Sequence, residues 1–435
     1  MRNIRIGMIG CGVVGQGIMR LLKENAASIE ARLGGTIEVR RIAARDVAKD
    51  RGPDVPQELL SYNPAEVVSD PSVELVVEVM GGVEPSYEYV KAALESGKSV
   101  VTANKALVAA RGHELIELAE ARGVDLYFEA AVAGGVPVIR VLREAFASDR
   151  IRSVRGIING TSNYILSRMT EAGIDFAPAL AEAQAKGYAE ADPTLDVGGG
   201  DAAHKLSILA TLAYGAKLDL HQIATTGIDQ VSALDIRFAA RFGYVIKPLA
   251  VSLALADGTL DLRVQPALIS RKSVLASVNG ALNAVYIEGA AVGPCLLSGM
   301  GAGALPTAVS VVSDIVDVGR NLHSAAHGRV PQRAFRGDRV TVARVQDIRD
   351  HECRFYLRFC MPDRSGVLGK LASVLGKFDV SIEQMVQDGN DSAQPVFVVA
   401  LTHPAREGDI QNALREIEAL GVVTTPPQAL RIEEL

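Results

Sequence analysis

The sequence predicts a three-part α/β protein: a parallel-sheet domain, an α+β domain and a C-terminal ferredoxin-like domain of βαββαβ order. Three observations carry this reading. Over the first 130 residues short apolar runs alternate with helical patterns, the signature of a parallel sheet covered on both faces. From residue 151 this gives way to one strand, a long helical tract and β-rich stretches at 248–264 and 284–289. Beyond residue 350 two helical segments interleave with four strand-like ones, which suits a sheet with both helices on one side.

In the first part, strands are expected at residues 4–9, 37–44, 75–79, 99–102 and 125–129, with helices at 12–25, 87–96 and 113–122. The second part has a strand at 154–158 and a helix at 306–318, just after the glycine-rich stretch 299–303. Residues 327–350 are rich in charge and broken by Gly328 and Pro331, which marks a linker. In the last part strands fall at 354–361, 380–387, 395–401 and 429–432, and helices at 366–378 and 408–420. There Phe355, Leu357, Phe359 and Met361 alternate with Tyr356, Arg358 and Cys360, so one buried sheet face is expected.

At 435 residues and 48% hydrophobic content the chain can build more than one core. A net charge of -6 and a pI near 5.8 leave no basic footprint for phosphate backbones, so nucleic acid is not expected as a partner. No apolar run approaches the ~20 residues of a membrane span. The N-terminus enters a strand at once, with no export signal, and a cytoplasmic protein is expected. Cys11, Cys295, Cys353 and Cys360 are scattered without CxxC spacing, as in reduced thiols. The seven histidines share no metal-ligand spacing.

Gly10, Cys11, Gly12, Val13, Val14 and Gly15 follow the first strand directly and open a helix. In that context GxGxxG is a dinucleotide fingerprint: the glycines permit a tight turn, and backbone N–H groups at the helix N-terminus meet a pyrophosphate. The second strand ends in Arg45 and Asp46. A guanidinium pairs with a 2'-phosphate, so Arg45 favours NADP, while Asp46 leaves NAD open.

Lys105 follows the strand at 99–102, at the carboxyl end where open α/β sheets bind ligands; position alone does not separate it from a solvated lysine. Glu190, Asp192, Asp196 and Asp201 crowd a loop punctuated by Gly187, Pro193 and Gly198 to Gly200, which feeds a helix. Such a cluster suits a substrate carrying an ammonium group. Asp201 and Lys205 stand four apart, on one helical face, whereas His204 points elsewhere and reads as structural.

These residues resemble homoserine dehydrogenases closely. The matching runs are GCGVVGQG, EVMGG, VVTANKALVA, FEAAVAGGVPVI, GIINGTSNYIL, AQAKGYAEADPTLDVGGGDAAHKLSILA and SGMGAGALPTAVSVVSDI, over about the first three-quarters of the chain. The C-terminal part is similar to an ACT domain, with Asp363, Gly366, Val367 and Leu368 in the loop where such domains bind amino acids. The resemblance implies NAD(P)-dependent interconversion of aspartate 4-semialdehyde and homoserine, with threonine as effector and a homodimer or homotetramer as the assembly. It implies that Glu190 and Asp196 hold the substrate's amino group and that Gly160 and Thr161 shape the pocket. Lys105, Asp201 and Lys205 would then surround the reacting end, with Lys205 as proton donor. Gly303 would return to the cofactor, and a sodium ion would sit at Glu129, Val132, Gly134 and Val136. The implied domains are 1–130 with about 305–325 for the dinucleotide, 131–304 for substrate, a linker at 326–350 and an ACT domain at 351–435. As a separate domain, the last part should be removable after about Asp350, with activity kept and threonine sensitivity lost. The glycine triplet at 198–200, where the family more often has one glycine, is expected to loosen the catalytic loop.

Two other readings separate by assay. An amino-acid dehydrogenase acting at a C2 amine would require ammonia. A sensor built on an inactive dehydrogenase would show no nicotinamide reduction with homoserine.

Overall fold

A computed structural model describes residues 2–388 and 395–434. In chain order its main elements are β1 (Arg2–Ile9), α1 (Val13–Glu24), β2 (Gly35–Ala43), β3 (Leu60–Ser61), β4 (Leu75–Glu78), β5 (Ser99–Thr102), α2 (Lys105–Arg122) and β6 (Leu126–Tyr127). There follow β7 (Ile151–Ile157), α3 (Gly160–Ala172), α4 (Gly200–Tyr214), β8 (Ala224–Thr225), α5 (Ala233–Arg241), β9 (Tyr244–Ala254), β10 (Leu260–Ser270), β11 (Leu282–Gly289), β12 (Gly293–Met300) and α6 (Ala304–His323). The C-terminal part comprises β13 (Glu352–Pro362), α7 (Val367–Lys377), β14 (Ile382–Asp388), β15 (Pro395–Thr402), α8 (Glu407–Ala419) and β16 (Thr425–Glu433). The chain forms two compact units. One contains Met1–Ile158, Asp201–Gln222 and Leu282–Ala343, and the other Asn159–Gly200, Ile223–Ala281 and Arg344–Leu435.

In the first unit a parallel sheet runs β3-β2-β1-β4-β5-β6. The order reverses between β1 and β4, the switch point where open α/β sheets bind ligands. Ile4, Ile6 and Met8 of β1 meet Ile18 of α1 and Leu75 and Val77 of β4. Helix α6 closes this core with Ala308, Val311 and Ile315, although it lies far along the chain. Several expected bounds shift, two of them with a visible cause. The last strand holds only Leu126–Tyr127, because the Glu129 N–H turns away from the sheet to the Asp314 carboxylate, at 2.8 Å. Helix α2 starts at Lys105, earlier than the apolar periodicity shows, since the Asn104 side chain accepts the Leu107 N–H and caps it. A second sheet holds β11 antiparallel between β7 and β12. β12 went unread because its small residues and glycines mask its alternation.

In the second unit β9 and β10 form a long hairpin. β10 also pairs with β8 and with the final strand β16, and the sheet continues β16-β13-β15-β14. Phe355, Leu357, Phe359 and Met361 pack under α7 and α8, with Leu371, Leu375, Ile410 and Ile417. The opposite face, expected to be open, is buried as well. Tyr356, Val399, Leu401, Leu430 and Ile432 share a core with Ile165, Leu166, Phe238 and Leu268. Asp235 of α5 accepts hydrogen bonds there from the Tyr356 hydroxyl (2.9 Å) and Arg358 Nε (2.6 Å), so polar β13 positions end in a buried, satisfied site.

Candidate active site

The dinucleotide loop leaves β1 at Gly10, whose φ of +106° is open to glycine and strained for other residues. A Cβ at Gly15 would lie 2.7 Å from the Gly10 carbonyl, so helix and strand approach too closely for a side chain. At Gly12 a Cβ would meet nothing within 4 Å, which leaves space before the uncapped N-terminus of α1. Val13, the first residue of that helix, is exposed, and Cys11 is buried with its thiol pKa pushed up by burial. Arg45 stands exposed after β2. Asp46 is engaged: its Oδ1 accepts the N–H groups of Ala48 and Lys49. Sequence reasoning missed Arg51, which donates to the backbone carbonyls of Cys11, Lys49 and Asp46 and so ties the glycine loop to the segment carrying Arg45. Its bonds run to main-chain oxygens, which leave no mark in a sequence.

In the same unit, Lys105, Asp201 and Lys205 come together. The Lys205 ammonium donates to Asp201 Oδ2 (2.7 Å) and the Ile158 carbonyl (2.8 Å), while Lys105 Nζ reaches Asp201 Oδ1 at 3.1 Å. Asp201 is 3% and Lys205 9% exposed. Two ammonium groups around one carboxylate leave a net positive charge, with Asp201 and Lys205 buried and the Lys105 side chain 39% exposed, suited to a developing oxyanion. His204 lies beside this cluster with its pKa lowered by burial.

In the second unit the acidic loop is held from α3. Asn159 caps that helix through the Ser162 N–H and donates Nδ2 to Asp196 Oδ1 at 2.8 Å. The Ser162 hydroxyl donates to the Asp196 carbonyl, and Thr161 to the Tyr188 carbonyl. Gly160 opens the helix next to them. Glu190 keeps its carboxylate exposed. Asn159, unread in the sequence, orients Asp196 while it caps a helix. The glycine triplet is closely approached by its surroundings: Gly199 has a φ of +88°, and a Cβ there would meet Thr225 at 2.9 Å and Val264 at 3.1 Å.

Elsewhere in the first unit the Glu129 carboxylate accepts the N–H groups of Ile139 and Arg140. Burial first, and the Asp314 charge second, push its pKa up to about 8. The Gly134 carbonyl accepts the Ser310 hydroxyl, and the Val136 carbonyl accepts the Val138 N–H; Val132 is buried as well. Both Glu129 oxygens are thus engaged by backbone N–H groups. Gly303 precedes α6, which approaches α1 so closely that a Cβ at Gly17 would lie 2.6 Å from the Ala304 carbonyl. In the C-terminal domain Asp363 accepts Gln387 Nε2, Gly366 begins α7 with φ +86°, and Val367 and Leu368 form its first turn, Leu368 being exposed. No helix among the described residues is long and apolar enough to cross a membrane.

Comparison with known proteins matches three families along the chain. The homoserine dehydrogenase NAD-binding domain family matches residues 10–129, the homoserine dehydrogenase catalytic family 137–316 and the ACT domain family 355–420. The chain is 42% identical to a homoserine dehydrogenase of Neisseria gonorrhoeae and 43% to one of Pseudomonas aeruginosa, each over 100% of both chains. It is similar to the crystal structure of a homoserine dehydrogenase from Thiobacillus denitrificans, with a TM-score of 0.94 and 43% identity over 100% of this chain and 99% of that one. A hyperthermophilic archaeal homoserine dehydrogenase in complex with NADPH matches at a TM-score of 0.62 and 27% identity, over 73% of this chain and 98% of its own.

Proposed function

Since this chain belongs to the homoserine dehydrogenase family, an NAD(P)-dependent oxidoreductase of amino-acid biosynthesis, we propose a division of its reaction among the residues described above. The bound cofactor supplies hydride when aspartate 4-semialdehyde is reduced. Negative charge then grows on the carbonyl oxygen, and Lys205 gives that oxygen a proton while Lys105 adds a second positive charge. Asp201 holds both lysines. Glu190 and Asp196 take the substrate's ammonium group at the far end, and Gly160 and Thr161 shape its surroundings. The observation that carries this is the nearly buried Lys205–Asp201 pair at 2.7 Å, with Lys105 on the same carboxylate.

Gly10, Cys11, Gly12, Val13 and Gly15 hold the pyrophosphate, with Gly303 bordering it, and Arg45 selects NADP. One Asp46 oxygen is held by backbone N–H groups, while the Arg45 guanidinium stands exposed, which supports NADP over NAD. A sodium ion at Glu129, Val132, Gly134 and Val136 would offset the buried negative charge there. The loop of Asp363, Gly366, Val367 and Leu368 takes an amino-acid effector, threonine by its likeness to homoserine. The active form is a cytoplasmic homodimer or homotetramer. Functionally, residues 1–130 with 305–325 serve the cofactor, 131–304 the substrate and 351–435 the effector.

The test is the absorbance change of nicotinamide reduction with homoserine, using NAD and NADP, each with and without threonine. Homoserine-dependent reduction without ammonia, faster with NADP and slowed by threonine, is expected. An ammonia requirement or no reduction would overturn the reading.

A further inference from the structure

The second unit contains a buried ion network for which the reaction has no use. On β10, Arg263 Nε meets Asp261 Oδ1 at 2.9 Å and its Nη1 meets Glu433 Oε1, on the final strand, at 2.6 Å. His351 bridges the pair, with Nδ1 3.1 Å from Asp261 Oδ2 and Nε2 2.7 Å from Arg263 Nη1. A guanidinium only donates, so Nε2 accepts and Nδ1 carries the proton toward Asp261. Gln265 donates to Glu433, and Arg431 bonds both Gln265 and Glu407. Arg263, Asp261 and Glu433 are 0%, 3% and 8% exposed. Charges this deeply buried need one defined arrangement, so β10 and β16 are locked in register with each other.

From Arg263 the chain of contacts leads to the acidic loop. Arg263 and Val264 pair with Ala224 and Thr225 of β8, and the Thr226 N–H bonds the Val264 carbonyl at 2.8 Å. Two residues on, the Ile228 N–H bonds the Val197 carbonyl at 2.9 Å. Gly199 lies so close to Thr225 and Val264 that neither tolerates a Cβ between them, and Gly227 is equally tight on Val197 and Gly198. The segment next to Asp196 therefore leans on β8 and on the residue following Arg263.

We propose that Arg263 is a positioning residue, through which the C-terminal strand β16 sets the acidic loop and so the affinity for the substrate's amino end. The proposal rests on the assignment of Asp196 to substrate binding. Its effect belongs in KM, because an anchor remote from the reacting atoms acts alike on ground and transition states.

Steady-state kinetics with homoserine on full-length Arg263→Met, Arg263→Lys and the near-isosteric Glu433→Gln test it, alongside Asp196→Asn and titration of NADP binding. KM should rise about tenfold in Arg263→Met and Glu433→Gln, with kcat and NADP affinity within about twofold of wild type, and less in Arg263→Lys, which keeps the charge but loses the fork. An unchanged KM in both, with a raised KM in Asp196→Asn, overturns the positioning role and leaves the loop assignment intact. No effect in Asp196→Asn overturns the loop assignment itself. A parallel fall in kcat, cofactor binding and thermal stability would show general damage and also overturn the proposal.

Discussion

Lys205 is placed more firmly than an i,i+4 spacing alone ensures, because the Ile158 carbonyl shares its ammonium with Asp201. Two fixed acceptors leave a third N–H for the substrate oxygen. Lys205→Ala should lower kcat by about 10² to 10⁴, the usual worth of a general acid, with NADP binding unchanged because the glycine loop is untouched. A near-normal kcat in steady-state assays would move the role to Lys105. Arg45 stands exposed beside Asp46, whose Oδ1 accepts two backbone N–H groups, so Arg45→Ala should weaken NADP by tenfold or more, the scale of one charge-assisted contact, and leave NAD nearly unchanged. Equal losses in a two-cofactor titration would place the 2'-phosphate elsewhere, with Arg51 the next residue to test. At this scale the sequence was readable where chemistry recurs at a fixed spacing, as in Gly10 to Gly15 or Asp201 to Lys205. Arg51 and Asn159 were invisible because each acts through carbonyls, caps or partners brought in by the fold.

Between elements, the distance from Lys105 to Asp201 depends on how α2 meets α4, since one lysine heads the first helix and the acid heads the second. Further along, His113 of α2 and Ser207, Ile208 and Thr211 of α4 line a shared cavity of about 20 Å³, too small for more than a water. Burial, and then the nearby Arg333 charge, bring the His113 pKa down to about 4. Its folded pKa lies below its unfolded value, so the unfolded chain binds the proton more tightly. Stability is therefore full above about pH 6.5 and is lost as pH falls toward 4. His113→Gln should remove this term, worth on the order of 1 kcal/mol after solvent screening. Thermal unfolding from pH 7 to 4.5 checks it, and equal acid sensitivity in the variant would assign the loss to other groups. The helices and strands of the sheet around this pair could be read from periodicity. The start of α2 could not, because its cap, Asn104, sits among residues that resemble a loop.

For the whole molecule, the decisive feature is that both faces of the C-terminal sheet are buried. The alternation of Phe355, Leu357, Phe359 and Met361 was legible, but Tyr356 and Arg358 look like a solvent face until Asp235 and the α3 and α5 side chains meet that face of the sheet. Removing everything after Asp350 would take Tyr356, Val399, Leu401, Leu430 and Ile432 out of that shared core. At about 1.5–3 kcal/mol for each large apolar side chain, the loss rivals the stability of an entire domain. The truncated chain should therefore unfold or aggregate, contrary to the expectation of an active, desensitised enzyme; a soluble, active truncation in a size-exclusion and activity assay would contradict this. A gentler change separates sensing from stability. Coupling between an effector loop and a substrate loop requires that binding at one alter the free energy of the other, and Glu433 on β16 is where the C-terminal sheet meets Arg263 of β10. Glu433→Gln keeps the shape of that contact and removes its charge, while the loop of Asp363 and Gly366 stays intact. Calorimetry should then show threonine binding to the variant with near wild-type affinity, whereas the threonine-dependent rise in homoserine KM should fall to less than a third of its wild-type size, a loss of roughly 0.7 kcal/mol or more of coupling. Undiminished inhibition in Glu433→Gln would route the signal elsewhere, with the contact of Tyr356 and Arg358 to Asp235 as one further connection from the same sheet.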